Sequence, residues 1–155
     1  MHRLDVYALI VSALPFVLAC GDACPTGMVS STTGCVAELA PTWDAIYADV
    51  IVEHCAIEFC HGDPEDMNEA DLDLRGIDEA FARLDEVTMS EDCGHTALRL
   101  VEPGDPESSL LYLKLFRESG EDEALCGFRM PYSADPLPHQ WRRAIRDWIE
   151  AGAPR

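Results

Sequence analysis

Apolar residues recur along this chain at steps of three and four, the spacing that lines one face of an α-helix. Trp43, Ile46, Tyr47, Val50 and Ile51 make the first such stripe. Thr42 precedes it as an N-cap and Asp44 lies in the first turn, where a carboxylate favours the helix dipole. A helix is therefore predicted from Thr42 to about Glu53. Leu72 and Leu74 suggest a short extended piece. Ile77, Phe81, Leu84 and Val87 then predict a second helix from about Gly76 to Val87. Glu102-Pro103-Gly104 reads as a turn, after which Asp105 caps a third helix with Pro106 at its first position. Leu110, Leu111, Leu113 and Leu115 carry that helix to about Arg117. The last helix is predicted from Pro138 to about Ala151, with Trp141, Ala144, Ile145, Trp148 and Ile149 on one side and Gly152 ending it. No alternating strand pattern of useful length competes and no internal repeat is present, so the predicted fold class is all-α.

A different pattern opens the chain. From Tyr7 to Ala19 it is apolar apart from Ser12 and Pro15, too short a run to span a bilayer, and it ends in small residues before Cys20. Ala19-Cys20 resembles the cleavage box of bacterial lipoproteins, which implies a signal peptide over residues 1–19 and acylation of Cys20. A plain secretory signal and an uncleaved anchor are the competing readings. Residues 20–41 are small and polar with no apolar periodicity, and read as a tether. One domain, residues 42–155, follows.

Composition narrows the partners. The formal net charge is -18, and loss of Arg3 with Asp5 leaves it unchanged. Such a surface repels phosphate backbones and anionic headgroups, so nucleic acid is excluded. It steers toward basic partners, or serves solubility alone. Seven cysteines leave six once Cys20 is assigned to lipid. In an exported chain an even set implies disulfides, cofactor attachment or both, and six thiols allow fifteen connectivities. Cys24 and Cys35 are most simply a local disulfide within the tether. Cys93 and Cys126 are most simply a disulfide tying the segment after the second helix to the Met130 loop, with two free thiols as the rival reading.

The segment from Cys55 to His61 carries the chemistry. Covalent haem attachment needs two thiols to add across two vinyl groups and an imidazole just past the second thiol. Cys55, Cys60 and His61 supply these types in order, as Cys-x4-Cys-His, a longer variant of the usual two-residue spacing. A thioether on the opposite face of the iron raises the reduction potential, and Met130, in the irregular stretch before the last helix, is placed to supply it. His95, Met67 and Met89 are alternative distal ligands. For Cys55 and Cys60 the rival readings are a disulfide and a zinc site, the latter lacking a convincing fourth ligand nearby. His54 and His139 fall at helix ends and read as solvated or capping groups, Trp141 and Trp148 as core, and the acids from Asp63 to Asp73 as a solvated loop.

The order of helix, Cys..Cys-His, middle helices, Met-Pro loop and C-terminal helix resembles the class I cytochrome c fold, in which the first and last helices pack together. More narrowly, three stretches look like the cytochrome c-like domain of bacterial envelope proteins: Val101-Glu102-Pro103-Gly104-Asp105-Pro106-Glu107-Ser108-Ser109-Leu110-Leu111, then Cys126-Gly127 with Met130-Pro131, then Trp148-Ile149-Glu150-Ala151-Gly152-Ala153. The likeness covers about residues 42–154. It implies one haem c joined to Cys55 and Cys60, with His61 and Met130 as axial ligands. It also implies an electron carrier rather than an enzyme, lipid-anchored in the cell envelope on the periplasmic face or outer membrane and serving an envelope redox partner. The alternative is a haem-free, disulfide-stabilised scaffold lipoprotein of the same fold. A haem peroxidase would need an open iron site, which a Met ligand denies.

Overall fold

The computed structural model describes residues 24–31, 34–62, 72–88, 97–116 and 128–155. Thr42 caps the first helix as expected: its backbone is extended and its hydroxyl accepts a hydrogen bond from the Ala45 N–H at 3.4 Å. Helix α1, Trp43–Ile46, then widens into a π-helical segment, Tyr47–Cys55. The Ala56 N–H reaches back five residues to the Ile51 carbonyl at 2.7 Å. The apolar stripe survives the widening, since Trp43, Ile46, Val50 and Ile51 are all buried. π-Helical turns are rare and tend to occur at functional sites.

Two predicted helices are shorter than their periodicity suggested. Helix α2 spans Ile77–Arg83 rather than reaching Val87. Beyond it the Leu84 carbonyl accepts from Val101 N–H at 2.9 Å and the Glu86 carbonyl from Leu100 N–H at 3.0 Å. Strand β3, Val87–Thr88, pairs antiparallel with β4, Leu98–Arg99. Leu84 is buried, so its place in the stripe was read correctly, but β-branched Val87 and Thr88 favour a pleated backbone. The helix predicted from Asp105 is split. Asp105 caps a single 3-10 turn, Pro106–Ser108, and α3 begins only at Leu110 and runs to Phe116. Between them Ser109 is extended and fully buried; its hydroxyl accepts from Glu102 N–H at 2.8 Å and donates to the Asp105 carbonyl at 2.8 Å. Those bonds hold the Glu102–Gly104 turn against the domain at the cost of helix continuity.

Helix α4, His139–Glu150, ends where Gly152 takes a φ of 94° and the Ala153 N–H closes onto the Trp148 carbonyl at 3.0 Å. The first and last helices meet through their indoles: Trp43 stacks on Trp148 with centroids 5.5 Å apart, and Phe81 abuts Trp43 edge-on at 5.4 Å. Both indole N–H groups are satisfied, Trp43 by the Ile77 carbonyl and Trp148 by that of Pro154. Leu115, Val101, Ile145 and Ile149 complete the core.

The domain is mainly helical but not all-α. Besides the β3–β4 pair, the stretch expected to act as a tether contains a hairpin, β1 Met28–Ser31 with β2 Gly34–Ala37, in which Val29 faces Val36. A disulfide joins Cys24 to Cys35. The hairpin rests on α4, where Trp141 Nε1 donates to the Ala37 carbonyl at 2.7 Å and the Gln140 amide donates to that of Ser30. Leu39, just beyond it, is buried in the core.

Candidate functional site

Cys55 ends the π-helical segment, and the chain turns back on itself within seven residues. His61 N–H donates to the Cys55 carbonyl at 3.1 Å, while Cys60 and Gly62 N–H both donate to the Ile57 carbonyl, at 3.1 and 3.2 Å. Phe59 reverses the chain with a φ of 65°, a left-handed conformation that costs a non-glycine residue roughly 1–2 kcal/mol. Gly62 closes the turn so tightly that a Cβ there would lie 2.1 Å from the Ala56 carbonyl oxygen. The four residues between the cysteines are thereby folded into a compact loop, and Cys55, Cys60 and His61 share one turn.

His61 is oriented from outside that turn. Its Nδ1 lies 3.1 Å from the Leu72 carbonyl oxygen, and its own carbonyl accepts from Leu74 N–H at 2.8 Å. A carbonyl can only accept, so the neutral imidazole in this bond carries its proton on Nδ1, the tautomer suited to ligation through Nε2. Residues 72–75 are themselves fixed. Asp73 accepts from both the backbone N–H and the guanidinium of Arg75, at 2.9 Å and 2.5 Å, and the Tyr47 hydroxyl donates to the Leu74 carbonyl at 3.4 Å. The side-chain bond from Arg75, followed by its backbone N–H, lowers the Asp73 carboxyl to about 2.

Cys55 and Cys60 are both free thiols, half-buried. Burial, with a smaller contribution from nearby Cys60, pushes the Cys55 thiol up to about 12. Met130 is also half-buried, in a loop that hydrogen-bonds to α3: Met130 N–H donates to the Lys114 carbonyl at 3.0 Å, and Lys114 Nζ to that of Phe128 at 3.3 Å. Its peptide bond to Pro131 is cis. Thus the structure gathers three of the four proposed haem residues, and holds Met130 on a separate loop. His54 lies in the last turn of the π-helical segment with its ring 6.0 Å from that of Trp141, and His139 is the exposed first residue of α4. Cys20, Cys93, Cys126, His95, Met67 and Met89 lie outside the described residues.

Sequence reasoning missed Gly62, the Leu72 carbonyl and the Asp73–Arg75 pair. It also missed the exposed apolar side chains. Of the six large hydrophobics that stand exposed among the described residues, Ile57 and Phe59 belong to the cysteine turn and Phe128 and Tyr132 flank Met130, the latter two rings 4.9 Å apart. Apolar surface concentrated on these two segments suits contact with a flat apolar group. Among the described residues no group of three or more His, Cys, Asp or Glu gathers as a site for a bare metal ion. A c-type haem draws only one ligand from that set, so its requirements are different. No helix among them is long and apolar enough to cross a membrane. No family model, no curated protein and no solved structure matches this chain.

Proposed function

We propose that this protein is a lipid-anchored mono-haem c-type cytochrome that transfers electrons in the cell envelope. The observation that carries the reading is the turn in which two free thiols accompany an imidazole whose Nδ1 is committed to the Leu72 carbonyl. The donor set fits the group chemically: Cys55 and Cys60 would hold it covalently, His61 would ligate its iron through Nε2, and Met130 would supply a thioether. When bound, the haem supplies a one-electron iron couple. The chain's own residues tune that couple. The hydrogen bond from His61 Nδ1 to a carbonyl raises the basicity of the imidazole and fixes the ring plane, and a thioether from Met130 favours the reduced state. Ile57, Phe59, Phe128 and Tyr132, exposed in this structure, would provide apolar surface against the bound group. Acylation of Cys20 would fasten the domain to a bilayer, and the formal charge of -18 favours a redox partner with a basic face.

Expression beside a cytochrome maturation system, followed by a haem stain on a denaturing gel, tests the reading. The expected result is a stained band that disappears in Cys60→Ala. A colourless native protein with Cys55 and Cys60 joined to each other would replace this reading with the haem-free scaffold.

A further inference from the structure

Acids outnumber bases 29 to 11 in this chain, so a guanidinium should readily find a carboxylate. Arg75, Arg83, Arg99, Arg146 and Arg155 each do. Arg129 and Arg142 are half-buried, and among the described residues neither is paired with one. Arg129 donates from Nη2 to the Ala134 carbonyl at 2.8 Å. Arg142 donates from Nη1 to the Leu115 carbonyl at 3.3 Å and holds its guanidinium 4.9 Å over the Phe116 ring. Each keeps one more nitrogen, Arg129 Nη1 and Arg142 Nε, that is shut off from solvent and has no hydrogen-bond partner among the described residues. A desolvated charged donor left without an acceptor is costly and rare in native proteins, so two of them mark places for an acceptor from outside the chain.

Both arginines lie between the two halves of the candidate site. The end of α3 presents consecutive carbonyls: that of Lys114 accepts from Met130 N–H at 3.0 Å and that of Leu115 accepts from Arg142. Arg129 is the chain neighbour of Met130. On the other side Trp141, the chain neighbour of Arg142, has its ring 6.0 Å from that of His54, the residue before Cys55. The first turn of α4 thus touches the Met130 side through α3 and the cysteine side through Trp141. A c-type haem is amphiphilic, a flat apolar ring with two propionate carboxylates on one edge. Ile57, Phe59, Phe128 and Tyr132 suit the ring and leave the carboxylates without partners, and a chain this acidic needs particular cations for two further anions.

We propose that Arg129 and Arg142 receive the two propionate carboxylates of the haem, Arg129 through Nη1 and Arg142 through Nε. The inference rests on the haem reading and deepens it, because it names the groups that fix which way round the porphyrin lies. Thioethers at Cys55 and Cys60 hold one part of its rim, and the arginines hold the propionate edge. Both nitrogens are covered by protein here, so a carboxylate reaches them as the side chains around the 128–134 loop part. Ligation by Met130 calls on the same loop, which the structure holds apart from the cysteine turn.

The test titrates the haem-free full chain, thiols intact, with iron deuteroporphyrin and with its bis-glycol ester, read by the Soret band. Neither porphyrin has vinyl groups, so no thioether forms and binding is reversible, and the ester lacks the two carboxylate charges. The diacid is expected to bind about tenfold tighter than the ester, in spite of the formal net charge of -18. Arg129→Met and Arg142→Met should each weaken the diacid about tenfold and leave the ester as in wild type, with Arg129→Lys recovering most of the loss. Arg143→Met, which removes an exposed guanidinium from the same helix, should change neither. Should a methionine variant fail to fold, the wild-type preference for diacid over ester decides alone. Equal affinity of wild type for the two porphyrins, or equal loss of both in the methionine variants, overturns the proposal. Binding of neither porphyrin also overturns it, while the haem stain reports independently on whether the cofactor is attached.

Discussion

Replacing Gly62 with alanine should disable the candidate site from one atom. The added Cβ would sit 2.1 Å from the Ala56 carbonyl oxygen, 2.3 Å from its carbon and 2.9 Å from the Ile57 nitrogen. All three are backbone atoms, so no side chain can rotate away and the turn itself must open by about 1 Å to restore van der Waals contact. That displacement breaks or lengthens the bonds from Gly62 N–H to Ile57 and from His61 N–H to Cys55, at 3.2 and 3.1 Å. At about 1 kcal/mol for each bond, plus the strain of opening, the expected loss is about 2–4 kcal/mol. Gly104→Ala is the control. Nothing lies within 4 Å of its added Cβ and only its φ of +85° resists, so about 1 kcal/mol is expected there. Urea unfolding of both variants measures the difference, and the stained-gel yield reads whether the displaced His61 still supports haem attachment. A Gly62→Ala protein as stable as wild type and as well stained would show that the turn does not close as described.

Two further predictions concern protons. In haem-free protein the Cys55 thiol is raised from 9.0 to about 12, so the folded state binds its proton more tightly than the unfolded chain does. Its contribution to stability is complete below pH 9 and is lost as pH rises toward 12, about 2 kcal/mol being gone by pH 10.5. Urea midpoints at pH 8 and 10.5 should therefore fall less in Cys55→Ser than in wild type; equal falls would refute the burial of this thiol. Asp73 behaves oppositely. Its carboxyl is lowered from 3.8 to about 2, so its stabilisation is present above pH 4 and is lost as pH falls toward 2. Allowing for solvent screening of the partly exposed pair, about 1 kcal/mol is at stake, and Asp73→Asn should flatten the acid limb of the unfolding curve between pH 4 and 2.

Much of the fold was legible because burial imposes its period on the sequence. The stripes of Trp43, Ile46, Val50 and Ile51, and of Ile145, Trp148 and Ile149, are buried as their spacing required. The errors came where a second partner outbid the period. Val87 continues the α2 stripe but pairs with Arg99, and Ser109 interrupts the Asp105 helix to bond the Glu102 turn. The hairpin was hidden for another reason. Its strands are four residues each and pair one valine with one valine, too little alternation to rise above a background of Gly, Ser and Thr. Its fixed position depends on α4, more than 100 residues away in sequence.

The candidate site divides along the same line. Residue types were visible in Cys55, Cys60 and His61, but the orientation of His61 comes from the carbonyl of Leu72, and a carbonyl leaves no mark on residue identity. The long spacing between the cysteines poses a geometric problem: two residues beyond the usual motif must be stored without disturbing the Cys60-His61 pair. The turn stores them by reversing the chain at Phe59 and closing it at Gly62 against Ala56. The left-handed Phe59 costs about 1–2 kcal/mol, which the three backbone bonds within residues 55–62 offset at about 1 kcal/mol each. The reversal also leaves Phe59 exposed, in the same turn as the two cysteines. A turn serving stability alone gains little from an exposed aromatic ring, whereas one that seats an apolar cofactor gains contact area from it.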